Sequence, residues 1–192
     1  MLSLFAHAQT GKALLDKTSA KLKGYTSMYA NFSYKIVESQ TKKTTNQTGL
    51  VITQGEKYNL KTDDLLQIYD GKKVYSISDA DKEVTISDAN NEDVLLTPTK
   101  IINSYKTGYT ITNGTKKGNI QYINLTPTKA GNIKKVVIGI NTSNYNLYSV
   151  SEETKSYTST LTISKFIPNY PVMPITFQFD KEKYKNYLIT NL

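Results

Sequence analysis

The 192-residue sequence lacks cysteine, contains no arginine and has a single histidine, His7. The absence of cysteine excludes disulfide bonds, a thiol nucleophile and zinc–thiolate sites. Since all 24 basic residues are lysines, the bidentate arginine contacts that read guanine and phosphate are excluded, and we expect no nucleic-acid partner. His7 lies in a segment that we expect to be removed, which nearly eliminates histidine catalysis and histidine–metal sites from the mature protein.

The first residues have the pattern of a secretory leader. Residues 2–5 are mostly apolar, and Ala6 and Ala8 then satisfy the small-x-small rule for cleavage. We therefore expect residues 1–8 to be the remnant of a signal peptide whose true start lies upstream, and residues 9–192 to form a single domain. The alternative is an ordinary helix N-terminus. No other stretch is long and apolar enough to predict a membrane-spanning helix.

The positive charge is confined to the second half of the chain. Residues 1–93 contain 12 lysines and 12 acidic residues, whereas residues 94–192 contain 12 lysines and 4 acidic residues, which accounts for the net charge of +8. Four of these lysines fall near predicted strand ends, where charged residues usually protect a solvated sheet edge. The alternative is a docking surface for an acidic partner or an anionic lipid. These lysines are Lys117, Lys129, Lys134 and Lys135.

Alternating apolar residues predict that most of the chain forms strands. The chain has 15 tyrosines and is rich in Thr, Ile and Val, which favour a pleated surface. Runs with period two, such as Phe32, Tyr34 and Ile36, alternate with turn-forming pairs such as Asp70-Gly71. We count about eleven strands, and their hairpin-length connections predict an antiparallel arrangement.

Helices and one polar turn complete the prediction. Leucines at helical spacing predict a helix over residues 10–27, with Gly24 as its C-cap, and Thr97-Pro98 begins a short helix that ends at Gly108. The polar stretch 42–47 is interpreted as a turn. Because large open sheets curl or close, the predicted fold class is mainly β with helices (α+β): a half-open antiparallel β-barrel whose open end the helices cover.

Acidic residues offer weak support for an enzyme. Pairs such as Asp63-Asp64 place neighbouring carboxylates on opposite faces of a strand, so they cannot converge on one atom. The series Asp79, Asp81 and Glu83 could bind a hard cation weakly, but a solvated turn is the simpler interpretation. We therefore predict no catalytic residues, no metal site, no cofactor and no enzymatic activity.

A series of short motifs, in this order, resembles the LolA-like outer-membrane lipoprotein carriers. The resemblance covers almost the whole mature chain and rests on the order of the motifs. These are Leu14-Leu-Asp-Lys17, Ala30-Asn-Phe-Ser-Tyr34, Gly49-Leu-Val-Ile52, Lys57-Tyr-Asn-Leu60, Asp70-Gly-Lys-Lys-Val-Tyr75, the helix that begins at Pro98, Leu125-Thr-Pro127 and Phe177-Gln-Phe179.

The resemblance implies a half-open barrel with a helical lid and a cavity for the acyl chains of a lipoprotein. It implies a monomeric periplasmic carrier that takes acylated lipoproteins from an inner-membrane lipoprotein-releasing transporter and delivers them to the outer membrane, where a receptor accepts them. The chemistry needs no covalent step and no cofactor. Alternatives on the same barrel are another lipid-binding or envelope-sensing protein, and a surface adhesion module is a further possibility.

The candidate cavity lining consists of alternating apolar residues, each of which could equally be plain core packing. Tyr58, which follows a turn, is expected at the cavity mouth as an exposed aromatic. The lining candidates are Phe32, Tyr34, Ile36, Leu50, Ile52, Tyr58, Leu60, Ile68, Tyr75, Ile77, Val136, Ile138 and Ile140. The lid candidates are Gln54, Leu95, Leu96, Ile101, Ile102 and Tyr105.

Gln54 marks a departure from the family pattern. Well-studied carriers place an arginine that latches the lid at the end of the second strand, and the matching position here is about Gln54. A glutamine can donate hydrogen bonds to lid carbonyls, but these lack charge assistance and are weaker. We therefore expect a different control of the lid.

Overall fold

The structure, a computed structural model, describes residues 3–89, 103, 105 and 107–192, with side chains from residue 11 onward. Within these residues, the elements with assigned bounds are one long helix, twelve strands and a short 3₁₀ helix. In chain order they are α1 (Ser3–Lys23), β1 (Ser27–Glu38), β2 (Thr44–Gln54), β3 (Lys57–Thr62), β4 (Leu66–Tyr69), β5 (Lys73–Ser78), β6 (Glu83–Asp88), β7 (Tyr109–Lys117), β8 (Ile120–Pro127), β9 (Ile133–Asn141), β10 (Asn146–Thr154), β11 (Tyr157–Pro168), the 3₁₀ helix (Pro174–Phe177) and β12 (Leu188–Asn191).

The strands follow the order β12-β6-β5-β4-β3-β2-β1-β11-β10-β9-β8-β7. Consecutive strands pair antiparallel from β2 to β6 and from β7 to β11, which confirms the predicted mainly-β fold with hairpin connections. Among the described strands the sheet is not closed, with β12 and β7 at the two ends of the order. Strand β12, which was not predicted, pairs parallel with β6.

Two predicted boundaries were wrong. Helix α1 begins at Ser3 and ends at Lys23, where the Gly24 N–H donates to the Ala20 and Lys21 carbonyls at 3.2 and 3.1 Å, rather than spanning 10–27. The polar stretch 42–47 is not a turn throughout, since β2 begins at Thr44. The first residues of β2 are exposed and polar, so the sequence shows no alternation of apolar residues that would predict a strand there. The helix includes residues 3–8, whose removal stays a prediction.

The chain forms two compact units. The first consists of residues 1–24, 33–46 and 96–164, and the second of residues 25–32, 47–95 and 165–192. In the first unit α1 packs on β7, β9 and β10. Its buried stripe, Leu15, Thr18 and Leu22, has the three- and four-residue spacing of one helix face.

Candidate functional site

Strands β2 to β6 of the second unit place apolar residues on both faces of the sheet. Directly paired residues share a face, so the registers define two sets. Face one contains Val51, Thr53, Tyr58, Leu60, Gln67, Tyr69, Val74 and Ser76. Face two contains Leu50, Ile52, Asn59, Leu66, Ile68, Tyr75, Ile77, Val84 and Ile86. The predicted lining residues of this unit are therefore divided between opposite faces.

Face two is covered by the C-terminal segment of the same unit. Phe179 stacks on Tyr75 with 4.8 Å between ring centroids and on Tyr184 with 5.6 Å. Ile68, Ile77, Val84 and Tyr184 form a buried cluster against which Tyr75 and Phe179 pack. The Asn59 Nδ2 also donates to the Thr176 carbonyl at 2.8 Å. The structure thus places the lining candidates Ile68, Tyr75 and Ile77 in a core that other side chains fill.

The position predicted for Tyr58 is wrong, because this side chain is fully buried rather than exposed at a mouth. Its hydroxyl donates to Gln67 Oε1 at 2.7 Å, and Gln67 Nε2 donates to Ser76 Oγ at 3.0 Å. Its ring lies 5.7 Å from that of Tyr69, its partner on β4. The turn before Tyr58 suggested exposure, but the cross-strand partners Thr53 and Tyr69 are buried as well.

In the first unit, α1 covers the sheet face that carries Val136 and Ile138. Ile138 pairs with Ile123 and Val136 with Leu125, and these four side chains are buried. Gly11 of α1 lies close to this face, since a Cβ there would be 2.8 Å from Asn113 Oδ1 and 3.5 Å from Ile123 Cγ2.

The remaining lining candidates are distributed over both units and buried to different degrees. Ile140 is fully buried and Leu60 nearly so. The other five are half-buried, namely Phe32, Tyr34, Ile36, Leu50 and Ile52.

Of the lid candidates, Leu95, Leu96, Ile101 and Ile102 lie outside the described residues, and Gln54 is exposed beside the β2–β3 turn. Tyr105 is described and buried.

The Tyr105 hydroxyl donates to the Asp16 carboxylate of α1, and the Ser19 Oγ of α1 donates to Asn103 Oδ1 at 2.7 Å. Burial raises the pKa of Tyr105, and the hydrogen bond to Asp16 raises it further. Hydrogen bonds therefore tie residues 103 and 105 to α1, and they do so without an arginine.

The sequence did not indicate the contact of Asp16 with Tyr105 or the burial of the C-terminal aromatic residues against face two. Asp16 lies on the polar face of the predicted helix, where it has the pattern of a solvated charge, and it also accepts a hydrogen bond from Lys12 Nζ at 2.8 Å. Phe179 and Tyr184 lie in a tail without regular alternation. Aromatic clustering in that tail is the one feature of the sequence that could have indicated burial.

Residues 2–154 match the family described as outer membrane lipoprotein carrier protein LolA. The chain belongs to this family. Because its members are lipid-binding carriers, the prediction of a non-enzymatic protein is confirmed, and the chain has a lipoprotein-carrier fold. A comparison with curated proteins finds no match.

One solved structure shows a similar fold, and others match more weakly. An uncharacterized conserved protein from Thermus thermophilus superposes with a TM-score of 0.64 at 8% identity, covering 96% of this chain and 100% of the other. A putative outer membrane lipoprotein-sorting protein domain from Vibrio parahaemolyticus gives 0.47 at 12% identity over 93% and 99% of the two chains. The Mycobacterium tuberculosis lipoprotein LppX gives 0.45 at 16% identity over 84% and 98%.

Proteins of the LolA family are periplasmic or envelope proteins that bind lipoproteins. Within the described part of this chain, no helix has both the length and the apolar character needed to cross a bilayer.

Proposed function

We propose that this LolA-family protein is a periplasmic carrier that binds the acyl chains of lipoproteins and moves them from the inner to the outer membrane. Its partners are then acylated lipoproteins, an inner-membrane lipoprotein-releasing transporter and an outer-membrane receptor. In this proposal residues 1–8 are the remnant of a leader and residues 9–192 act as one carrier domain. Family membership supports the class of cargo, and the helix–sheet contact of the first unit supports the place of binding.

The observation that carries the proposal is the mixed character of the contact beneath α1. Thr18 Oγ1 on α1 and Asn113 Oδ1 on the sheet face opposite Gly11 are buried without a hydrogen-bond partner among the described residues. Each buried, unpaired polar group costs on the order of 1–3 kcal/mol. Separation of α1 from the sheet would return such groups to water and partly offset the loss of apolar contact. A contact of this kind is suited to reversible opening.

The face beneath α1 is apolar enough to receive an acyl chain. Ile123, Leu125, Val136, Ile138 and Ile140 form a continuous buried surface on β8 and β9. Removing each methylene of an acyl chain from water contributes about 0.8 kcal/mol. We therefore place the acyl chain between α1 and these strands, which retains three of the predicted lining residues and leaves face two of the second unit as core.

The test compares Ile138→Thr with Ile77→Thr. Both isoleucines are at most 1% exposed, so the same change should lower stability by a similar amount. Ile138→Thr places a hydroxyl against the acyl chain and should weaken binding of a fluorescent fatty acid about 3- to 10-fold. Ile77→Thr should leave binding unchanged, because Ile77 faces the C-terminal segment.

Equal effects of the two substitutions would contradict the proposed location. The cargo itself is identified by native mass spectrometry of the protein purified from its own periplasm, together with lipoprotein release from inner-membrane vesicles. Recovery of a phospholipid or glycolipid without lipoprotein, combined with no release activity, would favour another lipid-binding or envelope-sensing protein on the same fold.

A further inference from the structure

The hollow between the β8–β9 and β10–β11 connections of the first unit is lined by lysines. Its volume is about 590 Å³, and its lining is Pro127, Thr128, Lys129, Ala130, Gly131, Ile133, Lys134 and Lys155. The three lysines are exposed, and no carboxylate belongs to the lining. Glu153 lies beside the lining, with its Oε1 3.9 Å from Lys134 Nζ and both side chains about half exposed.

The topology concentrates further positive charge at this end of the sheet. The Ser39 N–H of the β1–β2 turn donates to the Ser156 carbonyl of the β10–β11 turn at 2.8 Å. That contact brings the turn carrying Lys42 and Lys43 next to Lys155. Glu38, which ends β1, accepts a hydrogen bond from Thr41 within the same turn. Lys116 and Lys117 lie at the opposite end, where they are the last two residues of β7.

We infer that this lysine-lined hollow docks the protein on a membrane by binding the phosphate headgroups of anionic phospholipids. Exposed lysines near a bilayer gain attraction from the negative surface potential within a Debye length, without needing fixed geometry. The hollow is wide and open, and its lysines are flexible point charges, which suits mobile headgroups. The inference goes beyond the proposed acyl-chain carrier function and concerns a different surface.

The composition of the hollow favours a lipid surface over an acidic protein. Interfaces between proteins are depleted in lysine at their centres and derive most of their affinity from Trp, Tyr and Arg anchors. The lining contains none of these three residue types, and its apolar members, Pro127, Ala130 and Ile133, are modest in size. The chain has no arginine that could make a bidentate contact with a carboxylate of an acidic protein. Long-range attraction to a charged plane is the interaction that these residues can make.

The experiment measures co-sedimentation of the full chain with vesicles of phosphatidylcholine alone and of a two-to-one mixture with phosphatidylglycerol. The variant K129Q/K134Q/K155Q is compared with K35Q/K116Q/K117Q, which replaces three exposed lysines elsewhere in the same unit. Both variants lower the net charge of +8 by the same three units, so overall charge is controlled. Circular dichroism verifies the fold, and fatty-acid uptake verifies that the acyl site is intact.

We expect the wild-type chain to bind the anionic vesicles and to dissociate from them when the salt concentration is raised. It should not bind vesicles of phosphatidylcholine alone. Binding should weaken about 10- to 100-fold in K129Q/K134Q/K155Q and by less than about 3-fold in the control. Equal loss in the two variants, or undiminished binding by the first, would overturn the inference. So would absence of vesicle binding with retained binding to polyglutamate, because that result assigns the hollow to an acidic protein. Fatty-acid uptake should be unchanged in both variants, which separates this surface from the acyl site.

Discussion

Replacement of Tyr105 by phenylalanine removes one hydroxyl and keeps the ring that fills its buried position. The lost hydrogen bond joins that hydroxyl to the Asp16 carboxylate of α1. A hydrogen bond to a charged group contributes about 1.5–3 kcal/mol. Asp16 is about half exposed and retains Lys12 as a partner, so water and Lys12 can compensate in part. We expect the free energy of unfolding to fall by about 1–2 kcal/mol.

Urea denaturation measures this loss, and hydrogen exchange locates it. Exchange should become faster at residues 103 and 105 and along α1, while the strands of the second unit keep their protection. Tyr109→Phe serves as the control, because Tyr109 is a half-buried tyrosine close to Tyr105 in the chain. Unchanged stability of Tyr105→Phe, or an equal effect of the control, would refute the assignment of Tyr105 as a tie between this segment and the helix.

The same hydrogen bond predicts a pH dependence. The folded state raises the pKa of Tyr105, chiefly by burial and then by the hydrogen bond to Asp16, above the ordinary value of 10.0. Because the protonated form is favoured in the folded state, this contribution is fully present below pH 10.0 and is lost as the pH rises toward the folded-state pKa. The stability difference between wild type and Tyr105→Phe should therefore shrink above about pH 10.

Two further substitutions test the packing that defines the candidate site. Gly11→Ala should lower the free energy of unfolding by about 1 kcal/mol, although alanine has the better helix propensity, because the new Cβ would lie 2.8 Å from Asn113 Oδ1. In an Asn113→Ala background the same substitution should be neutral or stabilising. Urea denaturation of the single and double variants measures both effects. Phe179→Ala should lower the free energy of unfolding by about 2–3 kcal/mol, because Phe179 packs between Tyr75 and Tyr184. The near-ultraviolet circular dichroism of these stacked rings should also decrease. An unaltered spectrum would contradict the packing of the C-terminal segment on face two.

Tyr58 shows why alternation in the sequence could predict strands but could not identify the binding surface. Period two separates Tyr58 and Leu60 from Asn59, and Ile68 from Gln67, so each strand has two defined faces. Both faces of β3 to β5 carry large apolar or aromatic side chains, and a pattern within one strand contains no information on what covers either face. The C-terminal segment supplies the cover for face two, and it lies far along the chain from the strands that carry Ile68 and Ile77.

The local sequence determined the elements that depend on neighbouring residues. Gly24 follows the last helical residue, Asp70-Gly71 lies between β4 and β5, and the ordered strand motifs indicated the LolA family. These features arise from backbone preference and side-chain period, which act over a few residues. The composition likewise excluded thiol chemistry, and the order of residues places the excess of lysine over acidic residues in the second half of the chain.

Only the tertiary structure decided which residues meet. It joined Asp16 to Tyr105, placed Phe179 on Tyr75 and buried Tyr58. It also brought Lys129 of the β8–β9 connection, Lys134 of β9 and Lys155 of the β10–β11 connection to one hollow. Each of these contacts joins residues whose individual patterns are ordinary: a charged helix residue, a tail aromatic, a tyrosine after a turn, and lysines at strand ends. The absence of cysteine and arginine limited the available chemistry from the start. Strand order and helix docking determined where the remaining residues act, because contacts between distant segments depend on the packing of the sheet.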